Sequence, residues 1–243
     1  MSTAVSVAGW VTAGLAAAIV VGVRRAYGDR MEAVARACHE LRGPLTAARL
    51  GLVPGSGQQA PSAGRLRAID TELGRAALAL DDLAGAGGGS SRWRCERVEV
   101  AALVVDCAEA WQAAAAAAGA TLRVGWSGEE AVVWGERLRL AQALGNLIAN
   151  AVEHGRGPVD VGGAVRDGRV RVTISDHGPG LPATVAELRR RARRGRGTRG
   201  RGLAITAEVA ELHGGRLACA PAETGARLVL ELPVATEASG SAS

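Results

Sequence analysis

Between residues 31 and 52 apolar or small side chains recur at alternating intervals of three and four: Met31, Val34, Cys38, Leu41, Leu45, Ala48 and Leu52. That spacing is the seam of a helix packed against other helices, and it predicts a helix from about Asp29 to Val53. The turn-forming run PGSGQQAPSAG (54–64) closes it. Leu66, Ile69, Leu73, Ala76, Leu80 and Leu83 then repeat the spacing over a second helix, about Arg65 to Ala84. A lone hairpin of two such helices leaves half of each stripe in water, and two copies side by side bury both. The expected unit at 29–84 is therefore a homodimeric four-helix bundle. His39 lies one step off the seam, held rigidly yet facing solvent. Pro44 removes the helical hydrogen bond to the carbonyl of Glu40 and predicts a bend beside His39.

After GAGGGSS (85–91), a flexible linker, the period changes. Strands are expected near Arg97–Val100, Thr121–Trp126, Val159–Val165, Arg169–Ser175, Arg216–Ala220 and Ala226–Glu231. Helices are expected over Ala101–Ala118, Glu136–His154 and Leu203–His213. The fold class is α+β: residues 92–235 form a sandwich of helices over one mixed sheet, and 236–243 form a disordered tail.

The other end of the chain carries 20 uncharged positions, 4–23, followed at once by Arg24 and Arg25. At about 1.5 Å per residue this spans the roughly 30 Å hydrocarbon layer. With no basic residue before it, the positive-inside rule predicts a single-pass cell-membrane anchor with the rest cytoplasmic. Every one of the 29 basic residues is Arg, and eight of them lie within 189–201. The net charge of +5 therefore comes from one segment without interleaved aromatics, which argues against nucleic acid as a partner. Cys38, Cys95, Cys107 and Cys219 have no metal-binding spacing and read as reduced thiols.

Three places in the second domain carry candidate chemistry. Gln142, Asn146, Asn150 and His154 recur every four residues, a polar stripe opposite Leu140, Leu144, Leu147, Ile148 and Ala151. Such a stripe is either a solvated face or a face turned to a polar ligand, whose amide oxygens suit an octahedral Mg²⁺. Asp176-His177-Gly178-Pro179-Gly180 follows a strand, a tight turn whose acid can accept a hydrogen bond from an amino group. Gly195 to Ile205 is glycine-rich and opens onto a helix, where backbone N–H groups can cradle phosphates.

Taken in order, these segments resemble the sensor histidine kinases of two-component systems, over about residues 29–235. CHELRGPL (38–45) is similar to the family's phosphoacceptor box, NLIANAVEHG (146–155) to its N box, and DHGPGL (176–181) and GTRGRGLAI (197–205) to its glycine boxes; LHGG (212–215) matches the close of the last helix. The resemblance implies a GHKL-type ATP-binding domain at 92–235, the fold shared with gyrase, Hsp90 and MutL, and a dimerisation and phosphotransfer hairpin at 29–84. It implies ATP and Mg²⁺ as cofactors and a response regulator receiver domain as partner. His39 would attack the γ-phosphate, with Glu40 orienting the imidazole or taking its proton. Asn150, assisted by Asn146, would bind Mg²⁺, His154 would contact phosphate and Asp176 would hold adenine. Gly178, Gly180, Gly200, Gly202 and Leu203 would shape the pocket and lid. An amide at 146 in place of a catalytic Glu implies that ATP is kept for the histidine rather than given to water. Two departures matter. Gly43 stands where many members carry Thr or Asn, which implies weak phosphatase activity toward the regulator. No Phe occupies the lid, where Arg189–Arg201 either clamp phosphates or form a solvated loop. A degenerate membrane scaffold that pairs with another kinase, or a serine kinase of the anti-sigma type, are the competing classes; the intact hairpin argues against the latter.

Overall fold

The computed structural model describes residues 95–193 and 200–235 throughout, a helical segment at 69–77, and residues 20–24, 28, 34, 37, 38, 41, 44, 45 and 66. His39, Glu40, most of the expected membrane segment, the linker 85–91, the middle of the arginine-rich run and the tail lie outside the described residues. Residues 20–24 are helical, with Val20, Val21 and Val23 exposed.

The C-terminal domain runs β1 (Glu96–Glu99), α1 (Val100–Ala117), β2 (Thr121–Ser127), β3 (Val132–Gly135), α2 (Arg137–His154), β4 (Pro158–Arg166), β5 (Arg169–Ser175), α3 (Val185–Arg193), α4 (Arg201–Leu212), β6 (Arg216–Ala220) and β7 (Arg227–Pro233). Its main sheet is mixed, in the order β2-β4-β5-β7-β6, with only β2 and β4 parallel. The single mixed sheet expected from the sequence is thus corrected: β1 and β3 pair antiparallel in a separate two-stranded ribbon. Parallel strands need a crossover, and α2 lies in the connection between β2 and β4. The β4–β5 hairpin turns on Asp167-Gly168, both at positive φ (52° and 68°), the two-residue turn whose twist matches the strands.

Alternation decides which face is dry. Val159 and Val161 on β4, Val170, Val172 and Ile174 on β5, and Leu228, Leu230 and Leu232 on β7 are all buried, facing the helices. Against them pack Leu103, Val104, Cys107 and Trp111 of α1 and Leu140, Leu144, Leu147 and Ile148 of α2. Helix α1 is long and apolar enough to cross a membrane, but its buried side is part of this core. Burial, with the nearby Glu72 carboxylate adding to it, pushes the Cys107 thiol up to about 12, so it is an inert packing group.

Two elements were not foreseen. Strand β3 is short, and it is held by β1 and by the Ala235 N–H donating to the Val132 carbonyl at 2.7 Å. Helix α3 is capped by Thr184, the residue before it, whose Oγ1 accepts from the Glu187 N–H at 3.2 Å. Thr184 to Glu187 has the T-x-x-E spacing of a capping box, a signal legible in the sequence.

Candidate functional site

Helix α2 carries the site because its two faces differ. Leu140, Leu144, Leu147, Ile148 and Ala151 fix one face to the sheet, leaving Asn146 and Asn150 half-buried on the other and His154 exposed in the last turn. The predicted stripe is divided, however. Gln142 is buried: its side-chain oxygen accepts from Arg139 at 3.4 Å and its carbonyl from Arg75 at 3.5 Å. Its role is structural, and the part of the stripe that reaches the surface starts at Asn146.

The start of α4 crosses α2 beside Asn146. A β carbon at Gly202 would stand 3.5 to 3.9 Å from the Asn146 side chain, in ordinary van der Waals contact, so the two positions face each other closely. The Asn146 Nδ2 is buried and has no hydrogen-bond partner among the described residues. An amide donor in that condition calls for an acceptor from a ligand. Thr206, fully buried, ties the two helices: its single hydroxyl hydrogen is shared between the Gly202 carbonyl at 2.9 Å and the Ala143 carbonyl at 3.2 Å. Gly200, at φ +92°, starts α4 in a left-handed conformation with no side-chain cap. The first N–H groups of this 12-residue helix therefore point outward, at the positive end of its dipole. Leu203 is buried at 3% exposure and anchors α4 in the core.

At the far end of α2, Asp176 sits just past β5, 7% exposed. Its Oδ1 accepts from the Gly178 N–H at 2.8 Å and the Ala226 N–H at 3.3 Å. Oδ2 has no bond among the described residues. The cradle is made of glycines: a β carbon at Gly155 would stand 2.7 Å from the Asp176 Cβ, and one at Gly178 would stand 2.6 Å from the His154 carbonyl oxygen. Gly180, at φ +79°, rests on the Gly225 carbonyl. Sequence reading gave no role to Gly155 and Gly225, although Gly155 follows directly on the polar stripe.

The arginine-rich run is partly committed elsewhere. Arg189 makes a two-pronged bond to Glu211 on α4, at 2.6 and 2.9 Å, and Arg191 pairs with Glu187 at 2.7 Å. His213, within the LHGG motif, staples α4 to the start of α2. Its Nδ1 bonds the Val209 carbonyl at 2.7 Å and its Nε2 accepts from the Glu136 N–H at 3.0 Å. Burial holds its pKa below the usual 6.5. A cavity of about 610 Å³ opens on the opposite face of the sheet, lined by Gly162, Ala164, Thr173 and Glu231, and is separate from this site.

Residues 135–236 match the model of the histidine kinase-, DNA gyrase B- and HSP90-like ATPases, and the chain belongs to that family through this domain. Within it, the chain is similar to the alginate biosynthesis sensor protein KinB of Pseudomonas aeruginosa, 26% identical over 84% of this chain and 37% of that protein. It is also similar to the sensor histidine kinase MtrB of Mycolicibacterium paratuberculosis, 33% identical over 74% of this chain and 34% of that protein. Among solved structures, full-length ShkA in complex with AMPPNP superposes with a TM-score of 0.55 and 27% identity, over 81% of this chain and 43% of that one. These matches place the chain among the bacterial sensor histidine kinases with a GHKL-type ATP-binding domain. The chain spans little more than a third of the length of these two curated relatives.

Proposed function

We propose that this protein is an ATP-dependent protein histidine kinase that phosphorylates its own His39 and passes the phosphoryl group to an aspartate of a response regulator. The observation that carries the reading is the buried Asn146 amide nitrogen, unpartnered among the described residues, where α2 meets the start of α4, with the glycine-lined Asp176 at the far end of α2. The middle of α2 thus offers a donor seeking an acceptor, and its far end a carboxylate with one oxygen unbonded among the described residues.

Asp176 Oδ2 would accept the amino hydrogen of adenine, and Gly178 and Gly180 would let the base lie close to backbone. The α4 N-terminus and His154 would meet the phosphates, with Gly200 and Gly202 keeping side chains out of their way. The donor set fits Mg²⁺ that arrives with the nucleotide: among the described residues no three His, Cys, Asp or Glu gather for a metal, and Asn150 and Asn146 offer amide oxygens to an ion that keeps phosphate and water ligands. When bound, Mg²⁺ supplies neutralisation of phosphate charge. His39 would attack the γ-phosphorus as a neutral imidazole; the new N–P bond forms as the bond to the β–γ bridging oxygen breaks, ADP leaves, and Glu40 orients the ring or accepts its proton. With Asn at 146 no carboxylate stands there to activate water.

Membrane anchoring through 4–23 belongs to the proposal, as does the homodimer. The dimer is supported by the hairpin itself: Val34, Leu45, Leu66 and Leu73 are 41 to 52% exposed in the single chain, an apolar seam that a second copy would cover. The test of the nucleotide reading is equilibrium binding of ATP to the full chain with and without Mg²⁺. Mg²⁺ is expected to tighten binding, and Asn150→Ala to remove that tightening. An undiminished Mg²⁺ effect in the variant would overturn the role of Asn150, and failure of the folded protein to bind ATP would sink the reading.

A further inference from the structure

Alternation in the main sheet leaves a second face, turned away from the helices. The strand register sets Gly125, Gly162, Thr173, Val229 and Ala218 side by side across all five strands on that face. With Ala164 and Ala220 they floor the cavity of about 610 Å³. The same register places Arg123, Arg166, Arg169, Arg171, Arg216 and Arg227 on this face, against two acids, Asp160 and Glu231. Glu231, 5% exposed, is held by Arg171 at 3.0 Å and by Arg216 at 2.6 Å. The result is a groove with a floor of small side chains and positive walls.

Two of the floor residues are bare although the fold does not require it. A β carbon at Gly162 would find only the Gly125 carbonyl oxygen, at 3.9 Å, and one at Gly125 would meet nothing within 4 Å among the described residues. Neither is among the positive-φ glycines. Gly163, next in the chain but facing the helices, differs: a β carbon there would overlap the Trp126 ring. Glycine inside a strand weakens it, and where neither a turn nor an internal contact demands it, the reason left is close approach from outside. The rows flanking the floor lie two residues to either side, so the walls stand about 13 Å apart at roughly 3.3 Å per residue. Five strands spaced about 4.8 Å apart make the groove about 19 Å long. An α-helix about 10–12 Å across fits that width, and about 13 residues span that length. An extended peptide gains less, because on the face of a sheet the backbone groups are already paired between strands. A bilayer would touch the arginine tips and leave the floor empty.

We propose that the outer face of this sheet is a docking groove for an acidic amphipathic helix of a partner protein. The helix lays its stripe of small or apolar side chains on the Gly125 to Ala218 row and turns its carboxylates toward the arginine walls. Charge complementarity decides the occupant: a face with six arginines and two acids selects carboxylates and repels a basic helix. Gly125 and Gly162 let the incoming backbone come close, and Glu231 holds Arg171 and Arg216 in place beforehand. The groove lies across the sheet from α2 and α4, so a partner seated there leaves the proposed nucleotide site open, and the inference does not depend on the kinase reading.

The test titrates the purified full chain into a fluorescently labelled, stapled helix of about 16 residues, one face Ala and Leu, flanked on both sides by Glu, and follows anisotropy. Saturable binding is expected, weakened by added salt. It should weaken on the order of tenfold in Gly162→Leu, and by a similar factor in Arg123→Glu with Arg227→Glu. Space at Gly162 lets the leucine variant fold, which a cooperative melt checks, and Gly125→Leu repeats the block from the neighbouring strand. ATP affinity is expected to stay unchanged in all of them, and its loss in a folded variant would contradict the separateness of the groove. Absence of saturable binding, or binding that both leucine variants leave intact, would overturn the proposal. So would equal binding of the same peptide carrying a central proline, which would show attraction to any polyanion. Vesicles of anionic phospholipid are titrated in parallel: vesicle binding without helix binding would assign the arginines to a membrane surface and sink the proposal.

Discussion

One oxygen of Asp176 is already held by two backbone N–H groups, and this separates its structural work from its proposed binding. Asp176→Asn can keep an acceptor at Oδ1 while turning the other atom into a donor. It is expected to leave the melting temperature nearly unchanged and to weaken ATP binding by about tenfold or more, the cost of facing a donor with a donor. Calorimetric titration checks it, and equal affinity in the variant would remove adenine from Asp176. His213 gives a prediction on pH. Its buried ring accepts from the Glu136 N–H, so the folded state favours the neutral form and its pKa is lowered. The unfolded chain therefore binds the proton first as pH falls. The stability from this group is complete above about 6.5 and is lost progressively below it. Melting temperatures should fall from pH 7.5 to 5.5, and His213→Gln should flatten that slope. At this scale the sequence displayed the glycines, amides and acid by type and spacing. It did not display His213 as a staple, because its partner Glu136 lies 77 residues away.

Among elements, those legible in advance were the ones whose period is long or whose burial alternates. Helix α2 was expected over Glu136–His154 and runs Arg137–His154; β5 was expected and is found over Arg169–Ser175. Strand β3, VVWG, shows no alternation of apolar and polar residues, and α3 has a polar arginine face that hides any apolar stripe, although Thr184 and Glu187 mark its start. Pairing between elements was not legible at all: the β2–β4 and β5–β7 contacts join segments brought together only by the closed core. The α2–α4 tie is a case with a measurable consequence. Thr206→Val keeps the shape and removes a fully buried hydroxyl that bonds across the helices. It should cost about 1 kcal/mol, a few degrees of melting temperature. It should also weaken ATP binding, since Gly202 is held beside Asn146 by the same group. A variant with wild-type melting and affinity would show the tie to be incidental.

For the whole molecule, the hairpin presents two different surfaces. One is the apolar seam of Val34, Leu45, Leu66 and Leu73, which predicts self-association. Leu66→Glu with Leu73→Glu should convert the dimer to monomer in sedimentation, and a dimer that survives both would place the interface elsewhere. The other is the buried Glu72–Arg75 face, which the three-four spacing did not announce because neither residue lies on the seam. Periodicity shows which side of a helix is apolar; it does not show that a charged side is also covered. Gly43 adds an expectation for the assembled system: little removal of phosphate from a phosphorylated regulator, checked by following its dephosphorylation with the purified kinase present. Which residue is the nucleophile is decided by incubating the full chain with γ-labelled ATP and Mg²⁺ beside His39→Ala and Asn150→Ala. Acid-labile, alkali-stable label that disappears in both variants is expected; label that persists in His39→Ala would rule out His39 as the nucleophile.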